Sequence, residues 1–215
     1  MAGVLNMEKK YVFIHVPKCA GTSIASVLRG SEHSKGFGDI PGLQEIVRRE
    51  NRVSAETIGL VAHARARDVQ KLIGAETYDC LESFAVVRNP WDRLRSRYYY
   101  FRRFPNHRKY KFAKGSLSDF ISWACESSPS TMQERLTGRP ANVIVKNILK
   151  FESIGSDFSA LSRKLSLNID EVPHRNKSDG PRQYPLLPSS VVSMVKRTYE
   201  KDFALFDYPD DPPDS

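Results

Sequence analysis

Cysteine is scarce in this chain: Cys19, Cys80 and Cys125 are the only three among 215 residues. An odd number at wide spacing fits neither a disulfide framework nor a set of metal ligands. A reducing compartment is implied, and no metal is expected. Long apolar runs are missing too. No stretch approaches the ~20 residues of a membrane span, and Met1 to Lys10 carries two lysines and a glutamate without a signal-peptide core. These absences lead us to expect a cytoplasmic protein without a membrane partner. There is no internal repeat, and only the Pro- and Asp-rich tail at 209–215 has the composition of a disordered segment.

Acidic residues are outnumbered, 25 against 33 lysines and arginines, giving a formal net charge of +8. The surplus favours an anionic partner, whether nucleotide, nucleic acid or acidic surface, and charge alone does not choose among them. With 40% hydrophobic residues the chain is long enough to bury one substantial core, so one domain over 1–208 is expected.

The pattern along the chain is that of strands alternating with helices. Tyr11 to Val16 is a β-branched and aromatic run ending at Pro17, and Ser23 to Leu28 has helical spacing. Thr57 to Ala62 reads as a second strand, followed by a helix from Arg67 to Ile73 that stops at Gly74. Ser83 to Val87 reads as a third strand, with Asn89 as helix cap, Pro90 at the first helical position and Asp92 in the first turn. Ser116 can cap a helix burying Leu117, Phe120, Ile121 and Ala124, Asn147 to Phe151 reads as a strand, and a last helix covers about Ser190 to Lys201. The expected fold is α/β, a single domain with a largely parallel central sheet flanked by helices.

Two segments carry chemistry. Pro17-Lys18-Cys19-Ala20-Gly21-Thr22-Ser23 lies between a predicted strand and a predicted helix. Small residues there let backbone N–H groups approach a phosphate, the helix start adds unpaired donors and a positive dipole end, and Lys18 adds a cation. It is not the nucleoside-triphosphate loop, in which the lysine directly precedes the Ser or Thr. The plainer reading is a capped turn with a surface lysine. In the second segment, Arg88 follows an apolar strand where a nucleoside triphosphatase usually has a Mg²⁺-binding acid, which points to direct phosphate binding. Ser96 is seven residues past Asn89, about two helical turns, so it shares a face with the helix start.

Together these segments resemble the donor-binding motifs of the carbohydrate-type sulfotransferase superfamily. The resemblance continues through His63-Ala64, Lys150-Phe151-Glu152, His174-Arg175-Asn176-Lys177-Ser178 and Tyr199 to Tyr208, and so covers nearly the whole chain. It implies a P-loop-like sulfotransferase fold and 3′-phosphoadenosine 5′-phosphosulfate (PAPS) as co-substrate, leaving as 3′,5′-adenosine bisphosphate (PAP) without a metal. It implies a soluble, bacterial-type member acting on a hydroxyl of a glycan or small-molecule acceptor. By the same resemblance, the loop Lys18, Cys19, Ala20, Gly21, Thr22 and Ser23 holds the 5′-phosphosulfate and Arg88 and Ser96 hold the 3′-phosphate. Asn176 and Lys177 close over the nucleotide.

Sulfuryl transfer to an alcohol needs a base and charge stabilisation. Of five histidines, His15 lies inside a predicted strand and reads as a packed core residue, while His33 and His107 fall in loops. His63 follows a predicted strand, at the end where open α/β sheets bind ligands, and resembles the catalytic histidine of the heparan and chondroitin enzymes. It is a lone histidine before Ala64 and Arg65, where some relatives have a His-x-His pair. His63 as base and Lys18 on the bridging oxygen form the catalytic expectation; a histidine that merely caps a strand is the bland alternative. Other readings stay open: a P-loop kinase or triphosphatase, or a non-catalytic RNA-binding protein using the basic and aromatic run Arg93 to Arg103. A helix that buries its aromatics and turns its arginines to solvent or cofactor explains that run better, so no nucleic-acid partner is expected.

Overall fold

The computed structural model describes residues 3–51, 61–140, 142–167, 169 and 184–213. In chain order the elements are β1 (Val4–Asn6), β2 (Tyr11–Ile14), α1 (Gly21–Leu28), β3 (Lys35–Gly36), α2 (Leu43–Asn51), α3 (Ala66–Ile73), α4 (Ala75–Cys80), β4 (Glu82–Val87), α5 (Pro90–Arg102), α6 (Tyr110–Ala113), α7 (Leu117–Ser127), α8 (Gln133–Leu136), β5 (Asn147–Lys150), α9 (Ile154–Lys164) and α10 (Ser189–Phe206). They fall into two compact units, Met1–Val87 with Met132–Asn176, and Arg88–Thr131 with Lys177–Ser215.

The first unit is built on a five-stranded sheet of order β3-β1-β2-β4-β5. β2 and β4 pair in parallel from Tyr11 opposite Glu82 to Ile14 opposite Ala85, and β4 continues in parallel with β5. All four residues of β2 are buried, as a near-continuous apolar run between helices should be. Phe13 and Phe84 meet across the pair with ring centroids 5.2 Å apart.

The expectation of a largely parallel sheet needs correction, because β1 is antiparallel to both β2 and β3 and the sheet is mixed. The cause is a hairpin too short to register as a strand pattern. The side chain of buried Asn6 accepts from the Lys9 amide at 2.8 Å, Lys10 adopts φ 52°, and the chain reverses between β1 and β2. The expected strand at 57–62 is also revised. Residues 57–60 lie outside the described residues, Val61 has helical backbone, and Ala62 and His63 form a turn. The strand expected to reach Phe151 stops at Lys150, where a 3-10 turn begins.

The second unit packs α5, α7 and α10 around Trp91, Leu94, Phe120, Ile121, Val195 and Tyr199. α5 starts as its sequence requires: Asn89 Oδ1 accepts from the Trp91 amide at 2.9 Å and Pro90 occupies the first turn. Its arginines differ from expectation. Arg93 and Arg97 are buried, donating to Ser130 O at 2.5 Å and Ser128 O at 3.2 Å, because the 128–130 segment presents carbonyls to that face of the helix. Beyond α10, Asp210 accepts from Trp91 Nε1 at 3.1 Å and Asp211 pairs with Lys196 at 2.6 Å. No helix among the described residues is long and apolar enough to cross a membrane.

α7 opens with a reciprocal cap, Ser116 Oγ accepting from the Asp119 amide at 3.1 Å while Asp119 Oδ2 accepts from the Ser116 amide at 3.2 Å. Replacing Ser116 with Ala should therefore cost about 1 kcal/mol of stability. Urea unfolding checks this: the midpoint should fall with an unchanged slope.

Candidate functional site

The loop between β2 and α1 is held in an unusual conformation. Lys18 has φ 70° and Ala20 has φ 54°, both in the left-handed region that favours glycine. Two such residues within three positions cost on the order of 1–3 kcal/mol each, and left-handed residues in a turn are an ingredient of anion-binding backbone concavities. The loop feeds α1, whose cap residue Ala20 makes no side-chain cap bond and whose first turn carries no acid. The first N–H groups of this eight-residue helix thus rely on something other than a side chain. Ser23 and Ile24 donate their amides to Ala20 O at 2.9 and 3.2 Å, which closes the turn.

Side chains of the loop divide by burial. Lys18, Ala20 and Thr22 are partly exposed, whereas Cys19, Gly21 and Ser23 are buried. Buried Cys19 acts as a small filler, with its Sγ 3.7 Å from Pro17 O.

Gly21 shows why no larger residue fits there. A Cβ would lie 1.9 Å from His15 Cδ2 and 2.1 Å from His15 Nε2. His15, which the sequence presented as an ordinary core residue, is indeed buried at 5% exposure, but it stands against the loop and against His63. The two imidazoles meet edge to face, with centroids 4.5 Å apart and 60° between their planes.

His63 sits in the turn between Val61 and Ala64, closed by the Ala64 amide donating to Val61 O at 3.1 Å. Arg135 of α8 donates to the His63 carbonyl, and next to it Glu134 pairs with Arg65 at 2.8 Å. Arg65 caps α3, its amide donating to buried Asp68 at 2.9 Å. The backbone around His63 is thereby fixed on both sides. Burial first, then the Arg135 charge and the amino-terminal charge, push the His63 imidazole down to about 4, against a hydrogen bond with the His15 backbone that raises it. Its Nδ1 is buried without a hydrogen-bond partner among the described residues. A value that low leaves the ring unprotonated at neutral pH.

Arg88 directly follows β4 and begins the second unit, where Ser96 is buried on α5. Arg88 and Arg95 both act on Tyr184 of the second unit. Arg95 lies 4.8 Å over the Tyr184 ring, and it pairs with Asp92 at 2.5 Å. Burial and Asp92 push the Tyr184 hydroxyl up, while Arg95 and Arg88 oppose them. The Tyr184 hydroxyl is buried without a partner among the described residues.

The expected residues thus divide. Lys18 to Ser23 and His63 lie in the first unit, Arg88 and Ser96 in the second, and Asn176 and Lys177 fall outside the described residues. Sequence reasoning missed three contributors. His15 offered one usable signal, a histidine two residues before the loop proline. Arg135 and Tyr184 gave none, since their roles come from tertiary contacts.

A family model described as "Sulfotransferase family" matches residues 4–209. Neither a curated protein nor a solved structure matches the chain.

The depressed His63 value has a consequence for stability. The folded state keeps this imidazole neutral down to about pH 4, whereas the unfolded chain protonates it near 6.5. The unfolded state binds more protons in that window, so stability is full above 6.5 and falls as pH drops toward 4. His63→Gln should flatten this part of the pH–stability curve, read as urea midpoints at half-unit pH steps.

Proposed function

The chain belongs to the sulfotransferase family, and we propose that it moves a sulfuryl group from PAPS to a hydroxyl of a glycan or small-molecule acceptor, with His63 as general base. One observation carries this reading: a loop with two left-handed residues leads into a helix without a side-chain cap, and a buried neutral imidazole stands in the same unit. The loop supplies donors for an anion, and the histidine supplies a base that is unprotonated at neutral pH.

The residues fit the donor. Lys18 and the N–H groups of Ala20, Gly21 and Thr22 are suited to the 5′-phosphosulfate, with the hydroxyls of Thr22 and Ser23 as further contacts. Arg88 and Ser96 are suited to the 3′-phosphate, and the unsatisfied Tyr184 hydroxyl in the cationic neighbourhood of Arg88 supports an anion there. When bound, PAPS supplies an activated sulfuryl group with PAP as its leaving group. His63 accepts the acceptor's proton, and its hydrogen bond with the His15 backbone and the pinned turn hold the ring for that task. Lys18 offsets negative charge as it builds on the leaving oxygen.

Binding of PAP in a thermal shift assay tests the donor reading. Arg88→Ala should weaken PAP far more than adenosine 5′-phosphate, because only PAP carries the 3′-phosphate; equal losses for both ligands would sink the assignment.

The base is tested separately. His63→Ala should lower turnover with a poorly acidic alcohol by ~10²-fold or more, while PAP affinity by calorimetry stays close to wild type. Lys18→Ala should lose both affinity and turnover. Near wild-type turnover in His63→Ala would move the base to another residue.

A further inference from the structure

We propose that His15 is the positioning residue for His63, locking its imidazole against the start of α1 and keeping water away from it. The proposal rests on the reading of His63 as the base.

The geometry around His15 leaves it little freedom. Its ring stacks on that of Phe13, two residues earlier in β2, at 6.1 Å and 19°. On another edge, Cδ2 and Nε2 occupy the space that a side chain on residue 21 would fill. Pro17 follows closely, fixing its own φ and restraining the residue before it. A ring clamped by a phenyl and by the backbone of α1 cannot swing aside, so it serves as a wall.

His63 rests on that wall. The edge-to-face contact at 4.5 Å brings a ring edge of one imidazole to the face of the other. Among the described residues, Arg135 restrains the His63 backbone at its carbonyl, and the Ala64 amide closes the turn onto Val61. The direction in which its side chain points is therefore set from the His15 side, by ring contact and by the hydrogen bond with the His15 backbone. Loop and base are linked as well: His15 touches both Gly21 and His63, so a shift at the start of α1 reaches the imidazole through a single intervening side chain.

The charged and titratable groups that act on His63 are Arg135 from α8, the amino-terminal charge and the neighbouring His15. None of the charges is removed by changing His15. What changes is desolvation, the largest influence holding His63 low. A smaller residue at 15 opens a void beside Gly21 that is polar enough to admit water, and a hydrated imidazole titrates nearer 6.5.

The experiment follows the ring C–H signals of His63 by NMR across pH 3.5–8 in the full chain, with His63→Gln assigning the peak. Wild type, His15→Ala and His15→Asn are compared, together with turnover and PAP calorimetry. In His15→Ala the His63 midpoint should rise from about 4 by at least ~1 pH unit. Turnover at pH 7 should fall by roughly 10-fold or more, because a loosened base loses its alignment, with PAP affinity within about 3-fold of wild type. His15→Asn, which keeps a planar polar group and serves if His15→Ala does not fold, should show a smaller shift in the same direction. An unmoved His63 midpoint in a folded variant overturns the proposal, and so does a shifted midpoint with unchanged turnover. Wild-type turnover in His63→Ala would overturn the base assignment alone, and the His63 titration then still reports whether His15 holds the ring.

Discussion

Because β2 and β4 pair in parallel, with Tyr11 opposite Glu82 and Ile14 opposite Ala85, both strands terminate at the same end of the sheet. Apolar side chains dominate that pairing, with Phe13 opposite Phe84 and Ile14 opposite Ala85, and the phosphate loop follows the end of β2. The loop at 15–20 leaves β2, and the chain passes into its second unit at Val87–Arg88 as it leaves β4. A parallel pair needs a long crossover, and residues between 15 and 81 supply it. Within that crossover lie the strained loop, α1 and the turn that carries His63. The sheet thus places the histidine after β2 beside a histidine that arrives nearly fifty residues later.

The site spends stability in two places. Lys18 and Ala20 hold backbone angles that other residues rarely adopt, and α1 begins without a capping side chain. His63 is kept neutral by burial, which carries a penalty once the pH falls below the ordinary imidazole range. Both departures concern groups suited to an anionic or protic ligand: the start of a helix in one case, a neutral imidazole in the other. By contrast α5 and α7 begin as local rules require, with caps at Asn89 and Ser116. Left-handed non-glycine residues also occur at Lys10, His33, Ser166 and Asp207. Here, though, two of them fall within three positions and lead into a helix without a side-chain cap, a concentration expected where function opposes local preference.

Much of this was legible in the sequence, and the failures have physical causes. β2, β4 and the cap of α5 were readable because apolar run, Asn89 and Pro90 are local signals. The phosphate-loop position was readable from small residues between strand and helix. The mixed sheet was not, since β1 has three residues and its pairing depends on the Asn6 side chain and a left-handed Lys10. Of the two grounds for His63, a family resemblance and a preceding strand, the second does not hold: Val61 is helical, and the residue is held by Arg135 and His15 instead. The arginines of α5 were read as outward-facing because periodicity cannot foresee that a later segment offers carbonyls to Arg93 and Arg97. Contacts between residues distant in the chain leave no local pattern, and His15, Arg135 and Tyr184 are all of that kind.

The absent Cβ at residue 21 has a meaning for how this chain can diverge. The imidazole of His15 fills the space that any other residue at 21 would claim, so the two positions form one unit of inheritance. A lineage can place a side chain at 21 only after giving up the ring at 15, and the reverse order passes through a chain whose loop cannot close. The path between such sequences is directional, and the order of the two steps is dictated by a collision of less than 2 Å.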